Sequence, residues 1–421
     1  MQMNESTGNP MEERAQNEQE FNEPLTIYTA KWVVPISRPP LENGAVVVKG
    51  GKIVEVDHVR NLYTSEKEKV IDYGQAVIFP GMINVHTHLE QPPTEVPIAD
   101  FVSYQGFLRD FNTHTPFAQQ QAIARTNIAE CIRCGTVAVA DFSTGGAALE
   151  PLRASHLYTR LFYEVTGFKN FLAEQLWRRY REKLKEPEED HYLTAHLAPS
   201  AVWNLSPQLL REICLSERHI AIHMGVIEAE NEFTLTGEGL LRQMLMAGGD
   251  FDYGWKVPGL SAMQYFFRSH FYARHNILIH MVYVSSADLD IAKEFGVKIN
   301  ICLCPRGSQK LSGRSAPVSM LLEKNVNLCL GTESRIVAGD LDIRQEMIKS
   351  IDLYGISPEM ALKFATLNGA YAIGFHKEVG SLEPGKTAHC LVISCEGLGA
   401  QDPFEMIAGA TALPSWLDAE K

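Results

Sequence analysis

Phe79-Pro80-Gly81-Met82-Ile83-Asn84-Val85-His86-Thr87-His88-Leu89-Glu90 is the stretch on which the reading of this chain turns. The apolar run Val77-Ile78-Phe79 leads into a Pro-Gly turn, and a second short strand follows that ends in His-x-His. Side chains at i and i+2 of a strand share one face, about 6.6 Å apart along it. Two imidazoles presented at a strand's C-terminal end can therefore share a metal ion, and neutral imidazole is a common metal ligand. Taken alone the pair carries little weight in a chain with 14 His. A strand end with two surface histidines is the alternative.

Length and composition narrow the classes. The chain has 421 residues, enough for a barrel-sized domain and a smaller one, and 45% hydrophobic residues supply a large core. The formal net charge is −13, from 38 Lys+Arg against 51 Asp+Glu, which argues against nucleic acid or an anionic membrane as partner. No apolar run approaches the roughly 20 residues of a membrane span. Residues 1–24 are polar, lack the basic-then-apolar pattern of a signal peptide, and are expected to be a disordered extension. The 8 Cys show no disulfide spacing, which predicts a reducing, cytoplasmic setting. Cys131-Ile-Arg-Cys134 lies in a helical pattern without a second pair, so buried helical thiols are expected there.

The pattern changes along the chain. From Leu25 to Val56, short apolar strands alternate with turns, and Gly380 to Ile393 returns to that style. Neither segment has enough strands to bury a core alone, so residues 25–79 and 376–421 are expected to form one β-sandwich from both chain ends. Residues 80–375 instead alternate apolar strands with amphipathic helices, the signature of βα units around a parallel sheet. Eight strands are expected, ending near His86, Asp141, Glu164, Leu197, His223, His280, Cys302 and Thr332. Eight such units make an α/β fold, a (βα)8 TIM-like barrel whose chemistry sits at the C-terminal strand ends. Those ends carry His86, His88, His223, His280 and Glu333.

At this point the sequence resembles the amidohydrolase superfamily. The branch it resembles holds cytosine, guanine, S-adenosylhomocysteine and aminodeoxyfutalosine deaminases and triazine chlorohydrolases. The resemblance covers about Leu25 to Ile393. It rests on Pro80-Gly81 with His86-x-His88-Leu89-Glu90, Tyr158-Thr159-Arg160-Leu161-Phe162-Tyr163-Glu164-Val165, Ile222-His223-Met224, Leu278-Ile279-His280, Cys304-Pro305-Arg306 and Gly331-Thr332-x-Ser334. It implies a metal-dependent hydrolase barrel with one divalent ion, zinc in the first place and iron as the alternative. The implied ligands are His86, His88 and His223 with an acid at the eighth strand, here Glu333; the implied catalytic pair is His280 and Glu333. A bound ion of this kind brings the pKa of its water towards about 7. A neighbouring carboxylate accepts the proton, and a second acid protonates the departing nitrogen.

Four positions depart from the pattern. Gly-Thr-Asp-Ser of the family is Gly331-Thr332-Glu333-Ser334 here, which extends the carboxylate by one bond, roughly 1.5 Å. The Glu expected three residues after the fifth-strand His is Val226. A substrate-contacting His after the fourth strand falls on Ser200. Pro-Arg-Ser-Asn has become Pro305-Arg306-Gly307-Ser308.

Two functions follow. The first is a hydrolase of non-peptide C–N bonds, amidohydrolase- or deaminase-like, with altered or reduced chemistry on a small-molecule substrate. The second is a catalytically inactive homologue that keeps a metal- or ligand-binding role. Ser200, Glu90, Glu164, Arg306 and Trp255 are the expected substrate contacts. Glu164 could instead pair with Arg160, Arg306 could be a plain ion pair, and Trp255 lies in a Gly/Pro-rich loop read as covering the pocket mouth. A homodimer is left open.

Overall fold

The computed structural model describes residues 25–62, 68–93, 98–185, 190–399 and 401–417. The expected N-terminal extension lies outside them. The chain divides into two compact units, one of Met82–His376 and one of Met1–Gly81 with Lys377–Lys421.

The larger unit carries eight strands: β1 (Met82–Thr87), β2 (Thr136–Ser143), β3 (Tyr158–Val165), β4 (Leu193–Pro199), β5 (His219–Met224), β6 (His275–His280), β7 (Ile299–Leu303) and β8 (Asn327–Leu330). β1 to β4 pair in sequence order as one parallel sheet, and β5 to β8 as another. Two parallel bridges join them, Thr87 with Glu333 and Ala201 with His223. At the first, Glu333 donates its N–H to the His86 carbonyl and its own carbonyl accepts from His88, each at 3.0 Å. Through these seams the eight strands follow one another around a (βα)8 barrel. β1 and β2 are buried along their whole length, as strands covered on both faces must be. The expected strand ends hold closely: β6 stops at His280 and β5 one residue past His223.

Closure leaves no room beside the end of β8. A Cβ on Gly331 would stand 2.7 Å from His86 Cβ, 2.8 Å from His86 N and 2.7 Å from Cys302 Sγ. The glycine is there so that two backbones can meet.

Among the described residues, the smaller unit holds a seven-stranded sheet built from both ends of the chain. Strand Thr26–Val33 changes parallel partner along its length, pairing with Lys69–Asp72 at its start and with Val77–Ile78 at its end. The strand runs unbroken through Ala30, which stays in register with Gly44 on the antiparallel neighbour Leu41–Lys49. From the other chain end, Cys390–Ser394 lies antiparallel to Ala76–Pro80. Tyr28, Val33, Val46, Ile78, Leu382 and Val392 belong to its buried cluster.

All eight cysteines are free and buried. Cys131 ends a helix, Phe117–Arg133, and burial pushes its thiol well up, as it does Cys134, to about 12. Among the described residues no helix is long and apolar enough to cross a membrane.

Replacing Gly331 by Ala should destabilise the barrel by about 3 kcal/mol, the upper part of the usual range for forcing a methyl into a filled core. A urea titration should show the midpoint falling at an unchanged slope. An unshifted midpoint would mean that the β8–β1 seam is slack.

Candidate active site

The C-terminal strand ends bring His86, His88, His223, His280 and Glu333 to one place. Glu333 is 1% exposed and lies at the centre. Its Oε2 is 2.6 Å from His86 Nε2 and 3.2 Å from His280 Nε2. Its Oε1 is 3.5 Å from His88 Nε2. His223 Nε2 faces His86 Nε2 at 3.1 Å. The set that draws closest is His86, His223, His280 and Glu333, with one ligand atom from each all within 4.8 Å. His88 stands slightly outside it, and His280, expected beside the ligands, stands within it.

The rings are held from behind. His88 Nδ1 is 3.1 Å from the Phe142 carbonyl and His223 Nδ1 is 3.0 Å from the Ser200 carbonyl. A carbonyl only accepts, so both rings carry their proton on Nδ1 and turn a lone pair on Nε2 into the site. His280 Nδ1 lies 3.0 Å from Ser308 Oγ, while His86 Nδ1 is buried without a hydrogen-bond partner among the described residues. Burial holds His86 well below the usual histidine range and lowers His223 as well. Burial opposes charge on His88 too, but Glu333, Glu164 and Asp141 outweigh it and raise that ring. Burial would raise Glu333, yet His86 and His88, with the hydrogen bond from His280, keep it well below the usual carboxylate range. The inward Nε2 lone pairs of His88 and His223 beside the buried carboxylate of Glu333, with His86 and His280 against it, make a donor set that fits a divalent metal ion. His86, His88, His223, His280 and Glu333 are the residues able to hold it.

Three residues here have left-handed backbone: His280 at φ 73°, Met281 at 51° and Glu333 at 64°. Such conformations in non-glycine residues gather where the surroundings over-determine them, commonly at functional sites.

A cavity with an empty volume of about 430 Å³ opens onto the cluster. Glu164 and Ser200 line it, together with Trp203, Val226 and Leu311. Ser200 donates to Glu164 Oε1 at 2.7 Å, and the same oxygen lies 3.7 Å from His223 Nδ1. Glu164 thus faces the site, and Arg160 turns elsewhere, donating to the Ile373 carbonyl and to Thr194. His196 sits 3.2 Å from Arg160 and 3.2 Å from Glu217, away from the role that Ser200 vacates.

Three expected substrate contacts do not reach this cavity. Glu90 turns away to accept hydrogen bonds from Ser143 and from the Ala148 N–H, at 3.0 Å, so it pins the loop after β2. Arg306 is consumed by ion pairs, two bonds of 2.9 Å to Asp340 and one of 2.6 Å to the fully buried Glu346. Trp255 stacks on Phe233 at 4.6 Å and against Phe168 at 5.3 Å, packing that anchors its loop outside the cavity lining.

Sequence reasoning missed Tyr104. Its buried hydroxyl donates to Glu333 Oε1 at 2.8 Å and lies 2.9 Å from Gln91 Oε1. Tyr104 stands in the first turn of helix Phe101–His114, whose start is fixed by a capping box: Asp100 accepts from the Ser103 N–H, and Ser103 Oγ from the Asp100 N–H. That Asp-x-x-Ser signal, one residue before an aromatic, was present in the sequence.

Residues 77–411 match the Amidohydrolase family, to which this chain belongs. A 5'-deoxyadenosine deaminase of Methanococcoides burtonii is 27% identical over 368 residues, covering 80% of this chain and 77% of that one. Two solved structures share the fold. The aminofutalosine deaminase of Helicobacter pylori, in complex with methylthio-coformycin, has a TM-score of 0.77 at 19% identity and covers 91% of this chain and 95% of its own. An adenosine deaminase from Xanthomonas campestris, with bound zinc, has a TM-score of 0.74 at 20% identity and covers 91% and 89%.

Arg306→Ala should leave Glu346 as a buried, unpaired acid and cost about 3 kcal/mol of stability. Any binding of a divalent ion at the histidine cluster should be unchanged, since the guanidinium is committed to Asp340 and Glu346. Differential scanning calorimetry with a zinc titration tests both halves, and lost zinc binding in a folded variant would return Arg306 to the site.

Proposed function

We propose that the protein is a metal-dependent hydrolase of non-peptide C–N bonds in a small heterocyclic substrate, with chemistry altered from that of ring deaminases. The observation that carries this reading is the buried Glu333 among four converging imidazoles at the mouth of an amidohydrolase barrel. His86, His88, His223 and Glu333 would hold one divalent ion, zinc before iron, although His280 lies within the closest donor set and His88 slightly outside it. When bound, that ion supplies Lewis acidity and makes water a nucleophile near neutral pH.

The chain's own groups divide the remaining work. Hydrolysis joins the water oxygen to the substrate carbon, breaks the C–N bond and delivers a proton to the departing nitrogen. Glu333, kept ionised, accepts the proton that water gives up and releases it to the departing nitrogen. His280, steadied by Ser308, polarises the substrate atom that gains negative charge. Glu164 and Ser200 offer a carboxylate and a hydroxyl to the substrate's polar edge. Trp203, Val226 and Leu311 form an apolar wall that excludes bulk water. Val226 has no proton to give, so the favoured substrate has a leaving group that departs without an acid at that position. The related adenosine and 5'-deoxyadenosine deaminases supply the substrate class to test first.

Substituting both His86 and His88 by Ala should strip the metal, measured as zinc per chain by elemental analysis. Undiminished metal content would sink the assignment. The zinc-loaded protein should release ammonia from adenosine, S-adenosylhomocysteine and guanine with kcat/KM below about 10⁴ M⁻¹s⁻¹, the lower end of ordinary enzyme rates. Faster turnover would show that Val226 and Ser200 do not impair ring deamination. Silence on every amidine and amide tried, with zinc and ligand still bound, would favour a binding protein over a hydrolase.

A further inference from the structure

The loop that follows His86-x-His88 is tied to the rest of the site by polar groups with no access to bulk water. Gln91, 6% exposed, donates its N–H to the His88 carbonyl at 3.1 Å, and its side-chain amide stands 2.9 Å from the Tyr104 hydroxyl. A helix pins the loop in turn. Asn127, buried in Phe117–Arg133, lies 2.9 Å from the Leu89 carbonyl and 2.9 Å from the Gln91 carbonyl. Carbonyls only accept, so the group of Asn127 that faces them is its NH₂. Arg335, two residues past Glu333, stands 3.5 Å from the Asn127 oxygen and pairs with Glu130 of the same helix at 2.9 Å. The loop after β1 and the turn after β8 therefore rest on one helix.

Tyr104 closes this circuit onto the acid. Its hydroxyl meets Glu333 Oε1 at 2.8 Å. A phenol has one proton, and a carboxylate is a stronger acceptor than an amide. The proton therefore goes to Glu333, and Gln91 completes the phenol by turning its NH₂ toward it. Glu333 Oε2 is left to His86 and His280, at 2.6 and 3.2 Å. The terminal torsion of a glutamate is broad, so a fixed donor on one oxygen decides where the other points. Misplacing a reacting group by about 1 Å can cost on the order of 100-fold in rate.

We infer that Tyr104 is a positioning residue for Glu333, itself held in place by Gln91 and Asn127. It occupies Oε1, turns Oε2 to the histidine cluster, and acts through Glu333 rather than on the substrate. The inference rests on the proposed metal-dependent reading.

The test compares the full chain with Tyr104→Phe, Gln91→Leu and the double variant. Zinc affinity is read by competition with a chelator and the melting temperature on metal-free protein. Tyr104→Phe should weaken zinc binding about 10- to 100-fold, the usual effect of removing a group that orients a ligand, with a melting temperature close to the parent's. Gln91→Leu should weaken zinc binding less, and should cost nothing further in the Tyr104→Phe background, because its effect passes through the hydroxyl. Parent-like zinc affinity in Tyr104→Phe would overturn the inference, whatever its melting temperature. So would additive losses from the two changes, or a Tyr104→Phe chain that does not fold, which would make Tyr104 a packing residue. If Gln91→Leu does not fold, the zinc affinity of Tyr104→Phe decides alone. A parent that binds no zinc defeats the metal-dependent reading. Crystal structures of metal-free parent and Tyr104→Phe then still decide the positioning role: a Glu333 carboxylate turned away from His86 in the variant supports it, and an unchanged pose refutes it.

Discussion

One buried negative charge organises the centre of this molecule. The carboxylate of Glu333 is almost without solvent, and an isolated ion there would be strongly unfavourable. It is tolerated because imidazoles from β1 and β6 and a phenol from helix Phe101–His114 surround it. The same residue's backbone joins the end of β8 to β1. Barrel closure and site assembly are therefore one event in structural terms: where the seam forms, the acid and the His86-x-His88 pair come into register together.

Much of this was legible in the linear chain, for physical reasons. Strand ends carrying His86, His88, His223 and His280 could be found because buried parallel strands read as apolar runs, and a polar residue closing such a run stands out. Glu164 closes the apolar run that became β3, while Ser200 came from the resemblance, as the place of a family histidine after β4. What escaped was orientation. Glu90 and Arg306 sit next to site residues in sequence, but each satisfies itself locally, Glu90 on backbone donors after β2 and Arg306 on Asp340 and Glu346. Partners about 34 to 58 residues away are invisible to spacing rules, which report periodicity and not side-chain direction. Tyr104 lay beyond reach for the same reason: its importance comes from a contact across 229 positions. Trp255 was read correctly as a loop residue, but its large apolar face found Phe168 and Phe233 instead of the cavity.

The wall around residue 226 is held in two ways. Glu230, fully buried, accepts the N–H groups of Gly225 and Val226 at 2.9 and 2.8 Å. Burial carries its carboxyl up to about 7 against the pull of those donors. The backbone of the turn after β5 is thus set by Glu230, while the Val226 side chain packs in a buried apolar cluster with Phe101, Trp203 and Leu311, so the wall of the cavity is also part of the core.

The sheet of the smaller unit carries a consequence for how the chain is made. Its strand Ala76–Pro80 pairs with Cys390–Ser394, a partner about 310 residues later in the sequence. During synthesis the earlier strand emerges long before the later one exists. In that interval it is a fully apolar edge, Ala-Val-Ile-Phe-Pro, with unpaired backbone groups along one side. Whatever shields that edge in the cell, a chaperone or a provisional neighbour, has to yield when the last strand arrives. A chain that stops short of residue 390 would keep the edge open for good, which turns a distant truncation into an aggregation hazard.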